Sequence, residues 1–197
     1  FARGVADDQA LPDEWDIKTG KNIRWRTEIP GMGHSSPVIW GDRVFLTSAV
    51  AENIPGLVLG DRGGIEMVKD SSSFSWRLYC LDKTSGKILW FKEAFQGMPR
   101  AARHVKSSQA NSTPATNGKI VAAIFGSQGM AVYDFDGNRL WQNDLGVLDP
   151  GLFGDASSQW GHASSPIIDG DRVIVQVDRH KNSFLADYKI DSGVLIC

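Results

Sequence analysis

The 197-residue sequence contains only two cysteines, Cys80 and Cys197, and neither belongs to a Cys-x-x-Cys pair or to any other metal-ligand spacing. A zinc-knuckle domain is thereby excluded. Cys80 is expected to be a small buried strand residue, and the disulfide state of the pair is left open. Long apolar runs are also missing. The longest, IVAAIF at 120–125, falls far short of the ~20 residues that a membrane-crossing helix requires. Neither sign of charge dominates: Lys plus Arg total 21 and Asp plus Glu 23, a net charge of −2. With no basic block to neutralise phosphates, nucleic acid is not an expected partner. No apolar pattern repeats at helical spacing, no Gly-x-Ser-x-Gly elbow occurs, and no Ser/His/Asp set has a catalytic setting. The chain opens at Phe1 rather than Met, so a removed leader and a fragment boundary both remain open.

What the sequence does contain is repetition. GHSSP at 33–37 returns as GHASSP at 161–166, with NSTP at 111–114 between them. A second string recurs as DIKTGKNIRW at 16–25, LDKTSGKILW at 81–90, YDFDGNRLW at 133–141 and YKIDSGVLIC at 188–197. Each copy reads as a strand end, a turn on Gly20, Gly86, Gly137 or Gly193, and a further strand. The glycines are spaced by 66, 51 and 56 residues, which defines a unit of about fifty with insertions. Between these landmarks, β-branched and aromatic runs are joined by Gly-Asp turns or by Asn117-Gly118, which are hairpin signals. Strands are therefore expected at 35–40, 43–49, 76–82 and 87–91, then at 112–116, 119–125, 130–134 and 139–143. A third set follows at 164–168, 172–178, 184–190 and 194–197, and an orphan outer strand lies at 22–29.

Four-stranded antiparallel units of this period build β-propeller blades, so the expected fold class is all-β. The organisation is a lead-in at 1–21 and a partial propeller over 22–197, with blades at about 35–93, 112–145 and 164–197. The first strand of a blade lies nearest the axis, where neighbours crowd and small residues such as Ser35, Ser36, Ser112, Thr113, Ser164 and Ser165 fit. His34 and His162 precede their prolines by three and four residues respectively, and this mismatch favours a turn or channel-rim role over a paired functional one.

At LDKTSGKILW and YDFDGNRLW the residues resemble the tryptophan-docking motif of quinoprotein-type (PQQ-like) propeller repeats. The opening stretch is similar to the start of secreted bacterial propellers of the BamB type. This resemblance implies an eight-bladed propeller in which each docking tryptophan packs on the neighbouring blade's turn. Its carriers would be Trp25, Trp90 and Trp141, with Gly20, Gly86, Gly137 and Gly193 as the turn glycines. Trp15-Asp16 lies outside every expected strand and is not read as a Trp-Asp repeat. The pattern lapses at the end, where Lys189 replaces the motif's Asp and Cys197 its Trp, so the third blade is interrupted from about Asp187.

The resemblance spans scaffolds and enzymes. The leading expectation is a non-catalytic interaction scaffold, periplasmic or secreted, with a protein partner and no cofactor. The long excursion at 50–75 is expected to carry the partner contact, at Ile54, Pro55, Leu57, Val58, Leu59, Asp61 and Arg62. One alternative is a quinoprotein dehydrogenase holding PQQ and calcium, with Arg100, Arg103, Lys106, Asp155 and Trp160 as candidate ligands. Another is a carbohydrate- or polymer-binding propeller that uses Phe153 and Trp160. A partial propeller with uncovered edges is also expected to self-associate.

Overall fold

The computed structural model describes residues 12–53, 67–149, 151, 158–179 and 182–197. Its strands are β1 (Val38–Trp40), β2 (Arg43–Ala51), β3 (Met67–Val68), β4 (Phe74–Asp82), β5 (Ile88–Gly97), β6 (Arg103–His104) and β7 (Ala115–Thr116). They continue as β8 (Ile120–Ile124), β9 (Met130–Asp134), β10 (Arg139–Asn143), β11 (Ile167–Asp169), β12 (Arg172–Val177) and β13 (Phe184–Lys189). The only helical turn among the described residues is a 3-10 turn at Gly126–Gln128. Three antiparallel sheets follow one another in the orders β1-β2-β4-β5, β7-β8-β9-β10 and β11-β12-β13, as successive blades of a β-propeller. β3 and β6 form a separate two-stranded ribbon, which ties the end of the long excursion to the connector between the first two sheets.

Two cores lie between the sheets. One joins Phe45, Trp76, Leu78 and Cys80 of the first sheet to Val121, Ala123 and Tyr133 of the second. The other joins Ile120, Ala122, Ile124 and Val132 of the second to Val173, Val175 and Tyr188 of the third. Strand alternation sends successive side chains of β8 into opposite cores, and all five of its residues are buried. The sequence's longest apolar run is thus the strand of a sheet covered on both faces.

Several strand boundaries differ from the sequence reading: β4 starts at Phe74 rather than 76, and β5 runs on to Gly97 rather than ending at 91. β1, β7 and β11 start only after the Ser-Ser-Pro or Ser-Thr-Pro residues, because proline has no N–H for a ladder and the preceding hydroxyls bond across sheets instead. The segment at 22–29 forms no strand. Side chains hold it in place: Trp25 and Ile29 pack on Val44, Tyr79 and Leu81. The stretch at 194–197 makes only a bridge, Tyr188 to Leu195, with hydrogen bonds to Asp187 and Lys189.

Candidate functional site

The repeated motifs become repeated contacts between neighbouring sheets. The Trp25 indole N–H donates to the Lys83 carbonyl at 2.8 Å, that of Trp90 to Phe135 at 3.3 Å, and that of Trp141 to Ile190 at 2.8 Å. Each ring lies across the turn glycine of the next unit. A methyl group added at Gly86, Gly137 or Gly193 would come within 2.4, 3.0 or 2.6 Å of the facing indole. Gly20 has the same left-handed backbone, yet nothing lies within 4 Å of its added methyl. The motif's aspartate organises the turn. Hydrogen bonds from the Ser85 hydroxyl and backbone hold the Asp82 carboxyl below the usual range, and backbone donors at Lys18 and Thr19 do the same for Asp16. At the fourth copy Lys189 takes that place, and backbone bonds close the turn, Gly193 N–H to the Lys189 carbonyl at 2.8 Å and Lys189 N–H to the Val194 carbonyl at 2.9 Å.

The Ser-Ser-Pro copies form a second series. Ser36 N–H donates to Thr113 Oγ1 at 3.0 Å, and Thr113 N–H donates to Ser165 Oγ at 3.0 Å. Each hydroxyl therefore receives the backbone N–H of the sheet before it. Small size alone, the reason inferred from sequence, is only half the explanation, because the hydroxyl also satisfies a donor that the following proline leaves outside the ladder. Sequence reasoning missed Trp40, whose indole covers the Asn117-Gly118 turn of the next sheet. The available signal was a tryptophan standing where the other hairpins carry Asn or Asp.

The charged candidates divide. Arg103 is committed: its guanidinium makes two 3.0 Å bonds to Asp70, and a third N–H reaches the Ser107 carbonyl. The side chains of this pair are only 8% and 11% exposed, and Gln109 adds a 3.0 Å bond to the carboxylate. Arg100 pairs with Asp144 at 2.6 Å. Lys106 and Trp160 meet in one cleft together with His34, His104 and Asn111. His162 lines a separate, smaller recess beside Arg100 and Gln128, so the two repeated histidines do not share a site. Burial pulls the His162 pKa down, against a backbone hydrogen bond with Ser164. Asp155, Phe153 and the proposed contact residues Ile54, Pro55, Leu57, Val58, Leu59, Asp61 and Arg62 lie outside the described residues.

A PQQ–calcium pair requires convergent cations and a carboxylate cluster. The donors among the described residues do not fit it. Arg103 and Arg100 are already paired, and among the described residues no group of three His, Cys, Asp or Glu could hold a metal ion.

A family model described as outer membrane protein assembly factor BamB matches residues 5–173. The chain belongs to the BamB family. Solved structures similar to this BamB-family chain include a quinohemoprotein alcohol dehydrogenase, ADHIIG from Pseudomonas putida HK5, with 11% identity over 87% of the chain and a TM-score of 0.50. A europium-containing methanol dehydrogenase matches with 16% identity over 84% of the chain at a TM-score of 0.48. BamB from Moraxella catarrhalis matches with 15% identity over 88% at 0.44. The chain spans 21%, 24% and 54% of these three structures' own lengths. No curated protein matches it.

Proposed function

We propose that this chain is a non-catalytic propeller scaffold, acting outside the cytoplasm by holding a protein partner of the outer membrane assembly process. The observation that carries this reading is membership of the BamB family across residues 5–173. It is supported by the chemistry of the candidate charges, since Arg103–Asp70 and Arg100–Asp144 are spent on joining segments of the chain to one another. Self-association belongs to the same proposal: the outer face of the third sheet exposes Ile167 and Leu185, the latter by 64%.

The test is photo-crosslinking in a Gram-negative periplasm from single reactive positions spread over the exposed surface, with adducts identified by mass. Adducts with an outer membrane assembly component are expected. Cells that yield none, together with stoichiometric binding of PQQ and calcium in a spectroscopic titration, would replace the scaffold reading with the dehydrogenase one. Sedimentation at micromolar concentration reads self-association, and a monomer would remove that part of the proposal.

A further inference from the structure

Tyr133 on β9 packs in the core between the first two sheets and is only 2% exposed, yet its hydroxyl has no hydrogen-bond partner among the described residues. Burying an unmatched hydroxyl is destabilising, so what it faces matters. Tyr133 borders a solvent-open cavity of about 380 Å³ between β5 and β10, lined also by Lys92, Gly137, Asn138 and Arg139. That is the size of a small-ligand site. Tyr133 stands directly across the ladder from Arg139. Burial pushes the phenol pKa up and the Arg139 charge opposes it, which places the hydroxyl end of the ring within reach of that guanidinium's field. It stays protonated, as a donor.

The two cations are held in position and are not neutralised. Lys92 pairs with Leu78 in the ladder and so shares its face, toward the second sheet. Its Cε passes over the Gly137 turn, 2.6 Å from where a methyl on that glycine would stand, so the glycine gives the lysine stem its path as well as receiving the Trp90 indole. Lys92 makes no ion pair among the described residues. Arg139 is anchored at one nitrogen by the Gln142 side-chain oxygen at 2.7 Å, a neutral acceptor that leaves its charge unpaired.

The neighbouring carboxylates are engaged elsewhere. Glu93 also borders the cavity, but it pairs with Arg77, on the opposite face from Leu78, and there its carboxylate accepts the Ser75 hydroxyl at 2.5 Å. Asp134 accepts the Asn138 side-chain and backbone N–H groups, both at 2.8 Å, and Asp136 pairs with Arg43 at 3.3 Å. Two unmatched positive charges and one O–H donor, carried by three strands, therefore converge on one cavity. A phosphate monoester matches that set: it carries about −1.5 to −2 charges at neutral pH and three acceptor oxygens, whereas a carboxylate brings one charge and two oxygens.

We propose that this cavity binds the phosphate group of a phosphate monoester, with Lys92 and Arg139 pairing with its charge and the Tyr133 hydroxyl donating to one of its oxygens. The site is independent of the scaffold reading, and either a soluble ester or a lipid headgroup presents the chemistry it requires.

Isothermal titration calorimetry of the whole chain at low salt tests it, with glycerol 3-phosphate as the probe and acetate as the control of single charge. Glycerol 3-phosphate should bind at least tenfold more tightly than acetate, and more tightly as pH rises through about 6, where the second phosphate proton leaves. Lys92→Gln and Arg139→Gln should each weaken it about tenfold, or ~1.4 kcal/mol. Lys119→Gln, in the turn between β7 and β8 and outside the lining, should leave it unchanged. Tyr133→Phe separates the site from the fold: with no bond in the free chain to lose, it should keep or raise the urea midpoint while weakening phosphate binding by about fivefold. Co-sedimentation with phosphatidylcholine vesicles, with and without phosphatidic acid, identifies the source. Pelleting only with phosphatidic acid assigns a lipid headgroup, and calorimetric binding without pelleting assigns a soluble ester. Equal affinity for acetate, binding unaltered in both charge variants, or binding to neither glycerol 3-phosphate nor phosphatidic acid overturns the proposal. So does a Tyr133→Phe variant that lowers the urea midpoint and keeps full phosphate affinity, because the hydroxyl then serves the fold.

Discussion

Gly193 and Gly20 occupy equivalent turns in the repeat, with φ of 67° and 77°, and differ in what faces them. Substituting alanine forces an L side chain into the left-handed region at both, a strain of ~1 kcal/mol. At Gly20 that is the whole cost, because the new methyl meets nothing within 4 Å. At Gly193 it would stand 2.6 Å from Cδ2 of Trp141, so the indole must retreat by about 1 Å to regain van der Waals distance. Trp141 has little room for this: it is 8% exposed, bonded to the Ile190 carbonyl at 2.8 Å, and packed beside Tyr188 with centroids 6.3 Å apart. Overpacking of this kind costs ~1–3 kcal/mol, and loss of the indole hydrogen bond adds about 1 kcal/mol. Gly193→Ala should therefore lose ~3–5 kcal/mol in all, against ~1 kcal/mol for Gly20→Ala. Urea unfolding followed by far-ultraviolet circular dichroism measures both. The decisive comparison is a double-mutant cycle. In a Trp141→Ala background, itself ~3–5 kcal/mol less stable, Gly193→Ala should cost only its ~1 kcal/mol of backbone strain. Equal losses for Gly20→Ala and Gly193→Ala, or simple additivity in the cycle, would refute the contact as the source of the motif's energy.

Other consequences can be checked on the same material. Thr113→Val removes the hydroxyl that accepts the Ser36 N–H and should cost ~1 kcal/mol in urea midpoint analysis, with Thr113→Ser restoring most of it. Arg103→Met leaves Asp70 buried without its cation and should destabilise by ~3–5 kcal/mol, whereas Arg100→Met, which breaks a more exposed pair, should cost under about 1 kcal/mol. Burial pushes the Cys80 thiol up from 9.0 to about 11, so the folded chain keeps a proton that the unfolded chain releases. Stability should accordingly fall as pH rises from 9.0 to about 11, and Cys80→Ala should flatten that slope in thermal melts. Burial lowers the His162 pKa from 6.5, so the unfolded chain takes up a proton first and stability should decline as pH falls below 6.5, less so in His162→Gln.

Local information was enough to determine the architecture. Turn chemistry and strand alternation act over two to ten residues, and recurrence of the same glycines and Ser-x-Pro strings set the period, so the three sheets and their order were legible before any coordinates. β9 and β10 fall at the expected residues, and strands with less local punctuation moved at their edges. Hydroxyl contacts between units were not legible, because they depend on which surfaces the repeat brings face to face. Ser36 and Thr113 are 77 residues apart, and Thr113 and Ser165 are 52 apart. No pattern within one unit says that a small residue chosen for space also accepts its neighbour's N–H. The same holds for the candidate site. Arg103, Lys106 and Trp160 read alike as loop residues, and tertiary structure alone sends the first into a buried pair with Asp70 and the other two into a cleft beside His34 and His104. Periodicity is a property of the chain, whereas a side chain's partner is decided by packing across units.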